Sequence, residues 1–335
     1  MKFWPEYSRW FGSFVYTASL LCVSTVFANS DDLASTPLVE DYVSLPMPAE
    51  FHVESTELEG PVYADANGRT LYIWPSHGLR NGYSGERQGN PACYDEVLTV
   101  TAGLMSPYPP GILLPDLENR PSCADLWPPV YASDNTNKIG KWTVINRKDG
   151  TRQWAYDEQP LYTSILDRKA GDVFGGSKHQ KYGADSPAYR TPLGPPAKVP
   201  PGFAVKTTSV GRLLTTDKNN SVYAFEGDTA DRSLCDARCM RHWKPVIAPA
   251  IARSQGEWTT LERSPGVWQW IFRGKPLYTY VLDQQSWSQE GSDISGWSNI
   301  YTQSSPHFPK SFTVQDTMAG QALADARGMT IYIYK

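Results

Sequence analysis

The sequence predicts an all-β fold: tandem repeats of small antiparallel β-meander units, each with one short helix or turn near a disulfide. Three observations carry this. A shift of 116 residues lays Gly140–Asp167 on Gly256–Asp283 with 13 identities in 28 gapless positions. Aromatic and β-branched runs alternate with Asn-, Asp- and Gly-containing turns. Finally, four cysteines follow an apolar leader, an even set in an exported chain.

The leader comes first. Lys2 and Arg9 precede an apolar run from Trp10 to Phe27, ending in Val26-Phe27-Ala28. This reads as a signal peptide (1–28) cleaved after Ala28, because polar Asn29-Ser30-Asp31-Asp32 follows with no basic stop-transfer cluster. Retention as a membrane anchor is the rival reading. Leu21 before Cys22 does not suit a lipid-anchor signal. No later apolar run approaches a membrane span. A net charge of −4 gives no reason to expect nucleic acid as partner.

An N-terminal linker (29–47) leads to repeat 1 (48–185), which carries a loop insert at about 78–120. A Pro-rich linker (186–200), repeat 2 (201–308) and a partial repeat 3 (309–335) follow. The repeat opening occurs three times, as Pro48-x-x-Phe51-x-Val53, Pro200-x-x-Phe203-x-Val205 and Pro309-x-x-Phe312-x-Val314. Each leads to an aromatic pair, Tyr72/Trp74, Tyr223/Phe225 and Tyr332/Tyr334, after the turns at Asp65–Gly68, Asp217–Asn220 and Asp325–Gly328. Strands are predicted at Arg69–Trp74, Trp142–Ile145, Arg152–Tyr156 and Pro160–Leu166, with counterparts in repeat 2. The helical candidates are Ser122–Trp127 and Ser233–Trp243.

These residues resemble a family of secreted repeat proteins, often called predicted lipoproteins, named for Tyr-x4-Asp and Tyr-x-aromatic-x-x-Asp motifs. The first motif stands as Tyr162…Asp167 and Tyr278…Asp283, the second as Tyr223-Ala-Phe225-Glu-Gly-Asp228. In repeat 1 the second motif degrades to Tyr72-Ile-Trp74-Pro-Ser-His77. Cys123-Ala-Asp-Leu-Trp127-Pro-Pro and Cys239-Met-Arg-His-Trp243-Lys-Pro complete the likeness. The resemblance implies a bacterial cell-envelope or secreted setting; the family's function is unknown, so it supplies no catalytic residues.

Repeat equivalence pairs Cys93 with Cys123 and Cys235 with Cys239. The competing reading is a copper site from Cys235, Cys239, Met240 and His242. The Asp/Gly loops after Asp167 and Asp283 are candidates either for calcium or for turn capping by the aspartate. Trp127, Trp142, Trp154, Trp243, Trp258 and Trp270 recur and are assigned to cores, whereas Trp74, Trp268, Trp287 and Trp297 are surface candidates. Arg147 and Arg263 are expected to pair internally with a carboxylate such as Asp167 or Asp283. The five histidines, His52, His77, His179, His242 and His307, share no position between copies, and no catalytic motif emerges. The sequence therefore predicts a non-enzymatic exported binding or scaffold module, with an envelope protein or polymer as partner; copper or redox handling is the alternative.

Overall fold

Three hairpins open the three stretches that begin Pro-x-x-Phe-x-Val. Phe51–Ser55 pairs antiparallel with Pro61–Asp65, Phe203–Thr208 with Gly211–Thr216, and Phe312–Thr317 with Gly320–Asp325. The leading Phe faces Asp65, Thr216 or Asp325, and the chain then bridges back through Ala64–Thr70, Thr215–Ser221 or Ala324–Thr330. Each return turn holds a residue at positive φ: Gly68, Asn219 and Gly328, residue types that tolerate it. Asp65 and Asp325 each fix the turn by accepting two backbone N–H bonds on one carboxylate oxygen.

The structure is a computed structural model, describing residues 39–79, 82–95, 122–176, 190–208, 210–304, 312–317, 320–325 and 327–332. The predicted leader, insert residues 96–121, His179 and His307 lie outside the described residues.

A second element recurs in both full copies. Trp142–Asn146, Arg152–Tyr156 and Gln159–Pro160 form one three-stranded antiparallel sheet. Trp258–Ser264, Val267–Phe272 and Lys275–Pro276 pair in the same order, with Ile247–Ala248 added at the edge. Alternate side chains of a strand share a face, so each sheet turns two tryptophans onto the opening hairpin. In copy 1, Trp142 stacks on Phe51 (ring centroids 4.7 Å apart), and Trp154 meets the same ring edge-on. Phe203, Trp258 and Trp270 repeat the cluster. The cores match residue for residue: Phe51, Tyr63, Leu71, Tyr156 and Leu161 answer to Phe203, Leu214, Val222, Phe272 and Leu277.

The third element is a set of two- to four-residue strands above each core. In copy 2 the strand order is Trp243–Pro245, Tyr278–Tyr280, Tyr223–Phe225, Trp297–Asn299, so the chain leaves the simple meander here. Copy 1 keeps the pairing of Tyr72–Ile73 with Thr191–Pro192 and reduces the rest to bridges at Tyr72–Tyr162 and Pro129–Tyr162. Arg190–Leu193, within the segment read as a linker, thus closes copy 1, and Leu193 enters its core.

The expected helices are short. Cys123–Leu126 makes one α-turn, with Ser122 and Asp125 forming a reciprocal capping box. In copy 2 only Cys239–Arg241 winds, as a 3-10 turn. Both copies belong to one compact unit. They are joined by Thr207 of copy 2, which donates to Glu59 of copy 1 (2.9 Å), beside buried Glu40, whose carboxylate takes Arg212 in a bidentate pair (2.8 and 3.1 Å). Gln303 of copy 2 completes the seam by donating to the Thr56 carbonyl of copy 1 (2.6 Å).

Candidate functional site

The two tyrosine motifs interlock. Tyr223 Oη donates to Asp283 Oδ2 (2.6 Å), and Tyr278 Oη donates to Asp228 Oδ2 (2.5 Å). The tyrosine of each motif therefore bonds the acid of the other. This is how the five-residue spacing of Tyr278 and Asp283 is used: the strand ends at Tyr280, and Asp283 opens the next loop toward Tyr223. Asp228 also accepts the Leu234 N–H, which anchors the approach to Cys235 (2.7 Å).

Copy 1 builds the same lock from a different acid. Tyr72 Oη donates to Asp167 Oδ2 and Tyr162 Oη to Glu86 Oε1, both at 2.7 Å. Glu86 also accepts the Ala92 N–H (2.9 Å), one residue before Cys93, just as Asp228 does before Cys235. The degraded motif is thus an interrupted one. Nine extra residues between Trp74 and Glu86 hold the hairpin His77–Leu79/Gly82–Ser84. The insertion closes through Gly85, at φ +89°, where a Cβ would lie 2.2 Å from the Pro75 carbonyl oxygen. No other residue fits that return.

Burial moves the proton affinities of both locks. Desolvation pushes Asp167 and Asp283 up to about 6. It also raises Glu86 and all four tyrosines, each tyrosine held further by its carboxylate partner.

Above the lock the copies diverge. The strand following the lock pairs Ile73 with Thr191 in copy 1 and Ala224 with Ser298 in copy 2, which makes Arg190 the counterpart of Trp297. Trp297 lies flat on Trp243 (3.6 Å, 4° between planes) and packs on Phe225 and Tyr278. Arg190 occupies the equivalent aromatic nest, its guanidinium over Trp74 (4.1 Å), Tyr162 (4.7 Å) and Trp127 (5.0 Å). It is 0% exposed, and burial lowers it to about 10 against the pull of Glu86 and Tyr162. Its Nε and Nη1 find no acceptor among the described residues.

Copy 2 also opens a cavity of about 530 Å³ beside its disulfide. Phe225, Trp243, Tyr280 and Trp297 give aromatic walls, Leu234 and Ile294 aliphatic ones, and Cys235–Cys239 runs along one side. Only three residues separate those cysteines, against 29 between Cys93 and Cys123. Asp236, Arg238 and His242 stand exposed at its rim. Asp236 is committed to its own turn: its Oδ1 accepts the N–H groups of Arg238 and Cys239 (2.9 Å each), which holds its carboxyl below the usual range. Gly291 passes under the tryptophan, where a Cβ would lie 2.8 Å from Trp243 and Tyr223.

Residues 143–178 match a family described as a secreted repeat of unknown function. No curated protein and no solved structure matches the chain. The matched stretch holds Trp154, Tyr162 and Asp167, so it takes in part of the core and half of the copy 1 lock. Among the described residues no helix is long and apolar enough to cross a membrane.

The remaining predicted residues fall as follows. Two disulfides form, Cys93–Cys123 and Cys235–Cys239. The copper alternative is corrected by this: the sulfurs of Cys235 and Cys239 are bonded to each other, and Met240 Sδ accepts from the Arg263 guanidinium (3.5 Å). In the copy 1 loop the acids proposed for calcium bond protein groups. Asp167 takes the Tyr72 hydroxyl and the Phe174 N–H, and Asp172 takes the N–H groups of Arg168 and Lys169. Arg147 and Arg263 do not reach Asp167 or Asp283, which the tyrosines already occupy; Arg147 instead pairs with the carboxylate of Asp149 (3.2 Å). Each bonds a strand glutamine, Gln153 or Gln269, and the carbonyl of the first cysteine (all 2.7 Å). The six recurring tryptophans are all buried. Of the four surface candidates only Trp287 is exposed; Trp74 lies under Arg190, Trp268 packs on the second core and Trp297 is half-buried on Trp243. Glu86 and Arg190 escaped sequence reasoning, since the 116-residue register breaks on either side of them.

Proposed function

We propose that this protein is an exported binding module of the bacterial cell envelope, acting in the periplasm or outside the cell, and that copy 2 holds its ligand site. One observation carries the reading: the open, aromatic-walled cavity beside Cys235–Cys239. Its volume lies in the range of small-molecule sites, and its make-up, apolar walls with a few polar groups at the mouth, is what such sites share. The secreted description of the matching family and the leader at 1–28 support export. Copy 1 carries buried Arg190 where copy 2 has the wall residue Trp297, which supports different roles for the two copies.

The test is ligand-observed NMR with a mixture of small ring compounds. Wild-type protein is expected to bind a subset of them, and Ile294→Trp, which fills the cavity from one wall, to lose that binding while keeping its thermal midpoint. Binding that survives Ile294→Trp unchanged would remove the cavity from consideration. Export is checked separately: N-terminal sequencing of the protein from the producing bacterium is expected to begin at Asn29.

A further inference from the structure

We infer that the copy 2 cavity takes a planar ring that bears an anionic group, such as an aromatic carboxylate; this rests on the cavity being the binding site. The walls select the ring. Trp297, Phe225 and Tyr280 all pack around Trp243 or one another at centroid distances of 3.6 to 5.0 Å, so the aromatic surface is fixed before any ligand arrives. Stacked or edge-on aromatic contact is favoured on such a surface, and no conformational freedom has to be spent in forming it.

The rim selects the charge. Arg238 and His242 line the mouth, both exposed, and no described residue bonds either side chain. The segment 236–244 adds Arg241 and Lys244, against Asp236 as its single acid. That acid stays ionised, held by two backbone N–H groups of its own turn, and offsets one of the three cations of the segment, so positive charge prevails along 236–244. A guanidinium at the edge of an aromatic slot meets a carboxylate in a charge-assisted, bidentate geometry while the ring lies on the tryptophans.

The experiment uses the full exported chain and three probes: 1-naphthoate, its neutral relative 1-naphthylmethanol, and D-glucuronate. Binding is followed by tryptophan fluorescence and calorimetry, on wild type and on Arg238→Gln, whose exposed side chain supports no other group. Expected are one naphthoate per chain, naphthylmethanol about tenfold weaker, and equal affinities for the two in Arg238→Gln. Equal affinities in wild type would overturn the anionic group and leave the cavity as a binding site. Binding of glucuronate without either naphthyl probe would overturn the planar ring, again leaving the site. Failure of all three probes together with the ring mixture above would sink both readings.

Discussion

The two full copies carry the same lock and finish it differently. In each, two tyrosines and two acids bond crosswise beneath a tryptophan, next to a disulfide. Copy 1 then buries Arg190, its charge favoured by Glu86 and Tyr162, where copy 2 stacks Trp297 beside a cavity. The shared part is therefore scaffold: it fixes where the chain returns before and after the disulfide. The unshared part packs on that scaffold with different side chains, Arg190 in one copy and Trp297 in the other. On the proposed reading, the common scaffold serves stability and the differing part serves the ligand.

The largest expected effect tests that separation in the acids. Glu86→Ala removes the hydrogen-bond acceptor for Tyr162 and also the charge that balances buried Arg190. Leaving the Tyr162 hydroxyl without its acceptor and Arg190 without that favourable charge is expected to cost about 3 kcal/mol, the upper end for a buried group left unsatisfied. Asp228→Ala removes only hydrogen bonds, to Tyr278 and the Leu234 N–H, with no buried cation above, and is expected to cost about 1–3 kcal/mol. Equilibrium urea unfolding compares the two. Equal losses would mean that Arg190 carries no unbalanced charge, and the contrast between the copies would fail at its centre.

That contrast also marks what the sequence disclosed. Tandem copies put Trp142, Trp154, Tyr162 and Asp167 in register with their partners, so the β-rich class and the core tryptophans were legible. Partners across the lock were not, because periodicity reports which face a residue lies on and not which acid its hydroxyl meets. Glu86 was hidden by nine inserted residues that push it out of the motif. Arg190 was hidden by a chemical change as well: an arginine stands where its counterpart is tryptophan, and flat shape, shared by both side chains, leaves no trace in a residue-by-residue match. The cavity was hidden too: the spacing of cysteines, three residues against 29, does not say which side chains wall a space beside the disulfide.

Loop length gives the next effect. A disulfide restricts the unfolded chain more when it closes a longer loop, so the chain-entropy model assigns roughly 4 kcal/mol to Cys93–Cys123 and roughly 2 kcal/mol to Cys235–Cys239. Replacing both cysteines of a pair by serine, one pair at a time, should lower urea stability in that order. The reversed order would show that the bond beside the cavity holds native structure together, and copy 2 would then be the more constrained of the two.

The smallest effect is the pH response of the shared lock. Asp167 and Asp283 both sit at about 6 in the folded chain because burial disfavours their charge, well above the value of about 3.9 for an unfolded aspartate. The folded state then holds protons that the unfolded state has released, so these groups make stability rise as pH falls from about 7 to about 4, and flatten below that. Four aspartates act in the opposite sense. Asp125, Asp149, Asp231 and Asp236 are held below the usual range by hydrogen bonds to nearby hydroxyl or backbone N–H groups. Their contribution is present above about pH 4 and is lost only below it. The two windows do not overlap, so thermal midpoints should climb from pH 7 to a maximum between pH 4 and 5 and then drop. Asp167, 6% exposed, should account for more of the climb than half-buried Asp283. Asp167→Asn should therefore flatten the slope between pH 7 and 4 more than Asp283→Asn does, whatever either substitution costs at pH 7. Identical slopes in the two variants would mean that the locks feel the same dielectric, and that the open cavity of copy 2 brings no water to the acid beneath it.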